Sequence, residues 1–349
     1  MEYAILLHPG HNRVYFETSK TLSVSELALA GESLSSPCQQ VQVEEIASVP
    51  YVTFQTAKPL QESDFLLLGQ LSFVYALFEQ VKTDKETCLR PIACPSLGYL
   101  PESIRTILKY TGKTNELFTR MMIQVARAAC TSQTKGAPLR LLDPVAGKGT
   151  TLSEGLLCGM HSFGVEINAD TVHEAYQFMK KYLETAKQKH ETHVERISGQ
   201  NRSFTAKRYT IDFAPDKESM KTAPLHWELV AGNSIYCDQL FKKNTFDLLV
   251  GDLPYGVQHG SKTTSKNNKR PSSITRNPSE LIASCAPAWR KVLKPGGVLA
   301  LAYNQFLLSF EEFAALLEEA GFTVLKEEKY RQFTHRVDQA ILRDIILAK

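Results

Sequence analysis

The sequence lacks any pair of cysteines with the spacing of a metal site or a redox motif. Its seven cysteines are scattered, and none of them form a CxxC pair. Zinc sites and disulfide frameworks depend on such spacing, so both are disfavoured and we expect no bound metal. An odd number of cysteines without a disulfide framework is typical of proteins in a reducing compartment, and we therefore expect a cytoplasmic protein.

Long hydrophobic runs and an excess of one charge are also missing. No stretch approaches the roughly 18 apolar residues of a membrane span, and the first residues lack the basic start of a signal peptide. We therefore expect no membrane association. The chain has 40 basic and 37 acidic residues, giving a net charge of only +3. This balance neither requires nor excludes a nucleic-acid partner, so local clusters of charge must decide.

A length of 349 residues suggests two domains, and the pattern changes near residue 100. Residues 3–8 and 13–18 are expected as strands, followed by a helix, two strands, a helical turn and a last segment that suits a strand or a helix. This order suits a split β-α-β unit. We predict a small α+β domain over residues 1–95, for which substrate binding is left open as a role. A proline-containing linker is predicted over 89–103.

From residue 101 to 349, helical periods alternate with short apolar runs. This alternation predicts an α/β domain with a mostly parallel, twisted sheet that is covered on both faces. We expect one long polar helix from residue 168 onward and two final strands near 322–330 and 338–348. Insertions are expected near 184–226 and 257–278.

The strongest local signal is LLDPVAGKGTTLSEG at residues 141–155. An apolar strand leads into a glycine turn and then a helix, so backbone N–H groups can approach a ligand closely. The third glycine of the dinucleotide pattern is absent, which argues against NAD. The predicted cofactor-binding residues of this segment are Asp143, Pro144, Ala146, Gly147, Gly149 and Thr150.

The ends of the next two predicted strands carry further candidates. Glu166 follows Gly149 by 17 residues, where an acidic side chain can accept hydrogen bonds from ribose hydroxyls. Its neighbour Ile167 is included in the predicted cofactor site. Asn233 and Ser234 follow the third strand, where they face an adenine edge or form a plain turn.

The most informative segment is FDLLVGDLPYG at residues 246–256. A carboxylate, a proline and an aromatic residue in this order at a strand end have little structural purpose. The Asp252 side chain and the Leu253 carbonyl can accept hydrogen bonds from an exocyclic amino group. Pro254 stiffens the backbone, and Tyr255 can stack on a planar base.

The order DPVAGKGT, GVEIN, AGNS and DLPYG resembles the class I amino-methyltransferases, and KYTGKTNELFTRMMIQVA is similar to the segment that precedes the first strand in tRNA guanosine N2-methyltransferases. The resemblance covers residues 105–349. It implies a Rossmann-like fold, S-adenosylmethionine as cofactor, and transfer of a methyl group to an amino group of a base in RNA, with guanine N2 in tRNA favoured. A small activator protein is left open as a further partner.

A basic segment directly follows the DLPYG motif. Residues 257–278 contain five cations and no acidic residue, and Lys266, Lys269 and Arg270 are the predicted substrate contacts to RNA phosphates. The insertion at 201–210 places cations beside aromatic residues, which suits either single-stranded nucleic acid or an edge hairpin. His335 and Arg336 are interpreted as a structural pair.

Four other functions remain as alternatives. The motif also occurs in methyltransferases that modify adenine or cytosine in DNA, and in those that modify glutamine in proteins. A non-catalytic RNA-binding protein that kept the fold is a different class, and Gly147, Gly149 and Asp252 argue against it. An NAD-dependent oxidoreductase ranks last.

Overall fold

The computed structural model describes residues 1–9, 13–83, 86–95, 100–107, 113–132, 136–199, 202–254 and 278–349. These residues build two sheets, one of five strands and one of nine strands. Tyr255 and the basic segment with Lys266, Lys269 and Arg270 lie outside the described residues. Among the helices that are described, none combines the length and the apolar character that crossing a bilayer requires.

The N-terminal part forms the five-stranded sheet. Its elements are β1 (Glu2–Leu7), α1 (Arg13–Ala30), β2 (Gln39–Ile46), β3 (Val49–Gln55), α2 (Glu62–Leu68), β4 (Val74–Lys82) and β5 (Thr87–Ile92). The strand order is β2-β3-β1-β4-β5, and all neighbours are antiparallel. Because β3 separates β1 from β2, the predicted split β-α-β arrangement is confirmed.

Two expectations for this part are wrong. Residues 13–18 belong to α1 rather than to a strand, because Tyr15, Leu22 and Leu29 recur every seven residues and form one helix face. The predicted linker begins as β5, which pairs with β4 through six residues. Proline at position 91 is tolerated there because β5 is an edge strand.

The second part forms the nine-stranded sheet and its covering helices. Its helices are α3 (Ser103–Ile107), α4 (Glu116–Ala129), α5 (Thr150–Leu157), α6 (Ala169–Thr185), α7 (Lys217–Thr222), α8 (Cys237–Leu240), α9 (Pro278–Val292) and α10 (Phe310–Glu319). Its strands are β6 (Arg140–Asp143), β7 (His161–Glu166), β8 (Lys189–Ser198), β9 (Thr205–Ala214), β10 (Leu225–Ala231), β11 (Phe246–Asp252), β12 (Leu293–Asn304), β13 (His335–Arg336) and β14 (Leu342–Ala348).

The strand order is β13-β14-β12-β11-β6-β7-β10-β9-β8. The five central strands, from β12 to β10, are parallel, which confirms the predicted mostly parallel α/β sheet. Alternate residues of β11 face opposite sides of the sheet. Leu249 packs with α9 and α10, while Leu248 packs with α4. On the α4 side, Leu22 and Leu29 of α1 join the same cluster, so the N-terminal part packs against the second part.

The insertion at 184–226 is regular, contrary to the expectation of a helix that continues past residue 185. Lys187 has a φ of 55°, which ends α6, and residues 189–198 form β8. β8 pairs with β9 through ten residues and extends the sheet as an edge hairpin. Arg208 of this hairpin forms ion pairs with Glu195 and Glu228, so this cation serves the fold.

The strand expected near 322–330 is also wrong. Val324 makes a single bridge to Ala348, and Glu328–Tyr330 form a short 3-10 turn. Only the end of β14 is open to this segment, because β13 pairs with the start of β14 on the same edge. The last predicted strand is confirmed as β14.

The chain adds strands on one side of β6 first and then switches to the other side. From β6 it continues to β7 and β10 on one side, and later to β11 and β12 on the other. At such a switch point, the loops after the two central strands separate and leave a crevice at their carboxyl ends. Asp143, Glu166, Ala231 and Asp252 end β6, β7, β10 and β11, so the predicted site residues share this edge.

Candidate functional site

The loop after β6 folds back onto the end of β7. The backbone N–H of Ala146 donates to the Val165 carbonyl at 2.9 Å. Gly147 has a φ of 51° and Gly149 a φ of 85°, a region that glycine enters without steric penalty. Gly149 is the residue that caps the start of α5. The two glycines therefore set the path of the loop.

Glu166 is held in place by two backbone donors. Gly147 N–H donates to its Oε2 at 3.1 Å, and Asn168 N–H donates to its Oε1 at 2.8 Å. Asn168 in turn caps α6 through Asp170 and Thr171. The carboxylate is thus oriented before any ligand arrives, with lone pairs remaining on both oxygens.

The residues after β10 form a tight turn. The Asn233 side chain accepts from the Ile235 N–H at 3.1 Å, and the Ser234 hydroxyl accepts from the Trp289 indole at 2.8 Å. Trp289 belongs to α9 and is completely buried. Ser234 therefore ties this turn to α9.

Asp252 ends β11 beside two groups that sequence analysis did not identify. The Thr114 hydroxyl donates to its Oδ2 at 2.6 Å, and the Arg343 guanidinium lies 3.9 Å from the same oxygen. Thr114 directly precedes Asn115, the cap of α4. A threonine before a helix cap and a cation in a C-terminal strand gave no local signal, because only the fold brings them to Asp252.

A cavity of about 410 Å³ lies between these strand ends. Its wall includes seven predicted site residues. They are Pro144, Glu166, Ile167, Asn233, Ser234, Asp252 and Pro254. It also includes residues that sequence analysis missed, among them Leu281, Ser284 and Cys285 of α9, which follows the segment 255–277 in the chain. Burial raises the pKa of the Cys285 thiol to about 12, so this residue is a neutral part of the wall.

The other predicted residues lie away from this wall. Asp143, Ala146 and Leu253 are buried. Gly149 and Thr150 line a separate small cavity together with Lys148 and Ser153. Leu253 donates its backbone N–H to Ala302, which fixes the motif to β12.

Three carboxylates gather at this edge of the sheet. Burial raises the pKa of Asp143 to about 7, and the nearby charges of Asp252 and Glu166 add to this rise. Hydrogen bonds from Thr151 and from the Val145 N–H oppose it. A cationic ligand in the cavity would relieve this mutual repulsion.

The sequence around this site matches a known family. Residues 117–271 match the model UPF0020, described as an RMKL-like methyltransferase domain. The match covers less than half of the chain and includes Gly147, Glu166 and Asp252. The chain is an enzyme of the class I methyltransferase fold, and the switch-point cavity lies at the strand ends of the matched methyltransferase domain.

Several solved structures are similar to the chain at low identity. TrmN from Thermus thermophilus is 11% identical with a TM-score of 0.43, covering 100% of this chain and 99% of that one. The T. thermophilus 16S rRNA N2 G1207 methyltransferase RsmC is 15% identical with a TM-score of 0.34, covering 88% and 57%. TehB from Haemophilus influenzae is 11% identical with a TM-score of 0.35, covering 69% and 63%. No curated protein gave a significant match. The assignment of the chain as a methyltransferase rests on the match of residues 117–271 to the UPF0020 model.

The cofactor of the methyltransferase domain is S-adenosylmethionine, and the cavity fits it. A volume of about 410 Å³ is in the usual range for small-molecule sites. Glu166 offers oriented acceptors for ribose hydroxyls, and the three carboxylates suit a cation. When bound, this cofactor supplies an electrophilic methyl group on a positively charged sulfur.

We expect Thr114→Val to lower turnover by about threefold to tenfold, the cost of about one hydrogen bond. Valine keeps the shape of threonine but cannot donate to Asp252, so the carboxylate loses one of its supports. Steady-state kinetics and calorimetry with S-adenosylhomocysteine measure the effect. Thr114→Ser retains the hydroxyl and should restore turnover. Equal turnover in the valine variant and the wild type would show that this contact has no role.

Binding of S-adenosylmethionine should strengthen as the pH rises from about 5 to about 8, because its cation favours the ionised Asp143, whose pKa is about 7 in the free protein. S-adenosylhomocysteine lacks the charge on sulfur, so its affinity should change less. Calorimetry with both ligands across this range gives the ratio of affinities. In Asp143→Asn this ratio of affinities should become independent of pH. A ratio that stays constant with pH in the wild type would show that ionisation of Asp143 does not affect cofactor binding.

Proposed function

We propose that this enzyme methylates an exocyclic amino group of a base in RNA, with guanine N2 in tRNA as the favoured target. The observation that carries the proposal is the placement of Asp252 and Pro254 in the same cavity as Glu166 and Asn233. The methyl donor and the acceptor amine therefore have adjacent places at the strand ends. The resemblance of residues 105–349 to tRNA guanosine N2-methyltransferases supports the choice of substrate.

In this proposal, each residue has one task. Glu166 accepts from the ribose of the cofactor, and Asn233 lies beside its adenine. The Asp252 carboxylate and the Leu253 carbonyl accept from the target amino group, which turns the nitrogen lone pair toward the methyl group. The chain thus contributes mainly by positioning the amine and by placing negative charge near the nitrogen as it becomes cationic.

The direct test is methyl transfer from labelled S-adenosylmethionine to unmodified total tRNA, followed by mass spectrometry of the nucleosides. We expect N2-methylguanosine to accumulate, and ribosomal RNA, duplex DNA and a protein mixture to accept little label. Preferential labelling of DNA or of protein would overturn the assignment to RNA. Labelling of tRNA at adenine or cytosine would keep RNA as the substrate and replace guanine as the base.

A further inference from the structure

An exposed apolar surface lies where β12 ends. Phe306 is 55% exposed, Leu307 is 47% exposed and Val337 is 37% exposed. The guanidinium of Arg336, the residue before Val337, lies over the Phe306 ring at 5.9 Å from its centroid. We call Phe306, Leu307, Arg336 and Val337 the Phe306 surface. Large exposed apolar side chains that gather in one place commonly mark an interaction site.

The Phe306 surface is held by the side chain of Asn304, which is buried. Asn304 Oδ1 accepts from the N–H groups of Phe306 at 3.2 Å and Leu342 at 3.0 Å, and its Nδ2 donates to the Ala340 carbonyl at 3.0 Å. The end of β12 is thereby tied to the turn between β13 and β14. A ligand on Phe306 would meet a backbone that is already ordered, so binding would cost less conformational entropy.

This surface is next to the proposed target site. Asn304 pairs with Arg343 across β12 and β14, and the Arg343 guanidinium lies 3.9 Å from Asp252. The cofactor residue Glu166 ends β7, on the other side of β6 from β11 and β12. A chain that presents one nucleotide to Asp252 and continues away from the cofactor would therefore reach the Phe306 surface.

The charge of the surface favours a nucleic acid over an apolar peptide. Arg336 donates to the backbone carbonyls of Asp338 and Gln339, which leaves its positive charge without a carboxylate partner among the ion pairs of the described residues. An exposed ring beside a cation is the combination that binds single-stranded nucleic acid, through stacking on a base and attraction to a phosphate.

We propose that the Phe306 surface binds the nucleotide adjoining the methylated one in a single-stranded RNA segment, with Phe306 stacking on its base and Arg336 contacting its phosphate. This inference rests on the proposed function and extends it, because it predicts that the target lies in an unpaired region. It places sequence-tolerant contacts beside the amine-binding motif, since every base offers a face for stacking.

The test measures binding of a labelled, unstructured oligoribonucleotide of about 12 nucleotides, within the usual site size for such proteins. S-adenosylhomocysteine is present throughout. Phe306→Ala should weaken binding about tenfold and leave the salt dependence unchanged, because a stacking contact releases no counterions. Arg336→Gln should lower the slope of log affinity against log salt by about one, and Arg336→Lys should restore it. Val194→Ala is the matched control for removing an exposed apolar side chain, since Val194 lies on β8 at the opposite edge of the sheet.

Phe306→Trp provides a direct signal. The two native tryptophans, Trp227 and Trp289, are buried, so the new indole reports on its own surroundings. We expect this variant to bind as the wild type does and its added fluorescence to be quenched by the oligoribonucleotide.

Three results would overturn the inference in distinguishable ways. If tRNA is methylated but Phe306→Ala binds RNA as tightly as the wild type, the proposed function stands and the Phe306 surface fails. If the wild type neither binds nor methylates RNA, both fail together. If a polypeptide is the methyl acceptor and its binding depends on Phe306, the surface binds protein instead of RNA.

Discussion

Replacement of Asp252 by alanine is expected to lower turnover by at least about a hundredfold while S-adenosylhomocysteine binds with near wild-type affinity. In the proposed function, the carboxylate acts on the amine as the nitrogen gains positive charge, so its contribution would be larger in the transition state than in the ground state. Its carboxylate contacts Thr114 and Arg343, and S-adenosylhomocysteine has no charge on sulfur for it to attract, so the affinity for this ligand should be spared.

The measurement combines single-turnover methyl transfer with calorimetry. Asp252→Asn keeps an oxygen acceptor without the negative charge, so its rate should fall between those of the wild type and the alanine variant. Asp238→Ala is the control for loss of an aspartate, because Asp238 pairs with Lys291 on the surface. Turnover within a few-fold of the wild type in Asp252→Ala would exclude Asp252 as the group that positions the amine.

Gly147→Val is expected to weaken binding of S-adenosylhomocysteine by at least about a hundredfold. Gly147 has a φ of 51°, and a β-branched residue is strongly disfavoured there. The loop would relax to a negative φ, and the hydrogen bond from the Gly147 N–H to Glu166 would break. The glycine loop and the carboxylate would both lose their orientation toward the cofactor.

A matched control separates this effect from general backbone strain. Gly136 also has a positive φ, 85°, and an added Cβ would have no neighbour within 4 Å, as at Gly147. Gly136→Val should therefore lower the melting temperature to a similar degree and keep cofactor affinity. If Gly147→Val folds and binds S-adenosylhomocysteine as tightly as Gly136→Val, the loop is not the cofactor site.

Local sequence patterns predicted most helices and strands of the second part. They failed for segments whose secondary structure depends on pairing with another strand. The glycine loop, the strand end at Glu166 and the DLP segment were located correctly because each depends on a few adjacent residues. Residues 189–198 were expected as helix and form β8, since a strand needs a partner and β9 follows it in the chain. Residues 322–330 were expected as a strand, and the edge of β14 offers them only one bridge.

The order and spacing of residues were enough to predict the class of chemistry. Asp143, Gly147, Glu166 and the Asp252 motif occur at the ends of predicted parallel strands, and the carboxyl ends of such strands meet at one edge of the sheet. Residue types at strand ends and glycines in turns are local properties, and a sequence records them directly.

The tertiary structure alone decided which side chains support and surround that chemistry. Thr114 and Arg343 are 138 and 91 residues from Asp252 on either side, and the fold brings both to its carboxylate. Burial among other carboxylates, which raises the pKa of Asp143, likewise depends on how strands from distant segments align. The Phe306 surface exists only because the ends of β12 and β13 meet the start of β14. Contacts between distant segments leave no periodic signal in either segment, so only packing reveals them.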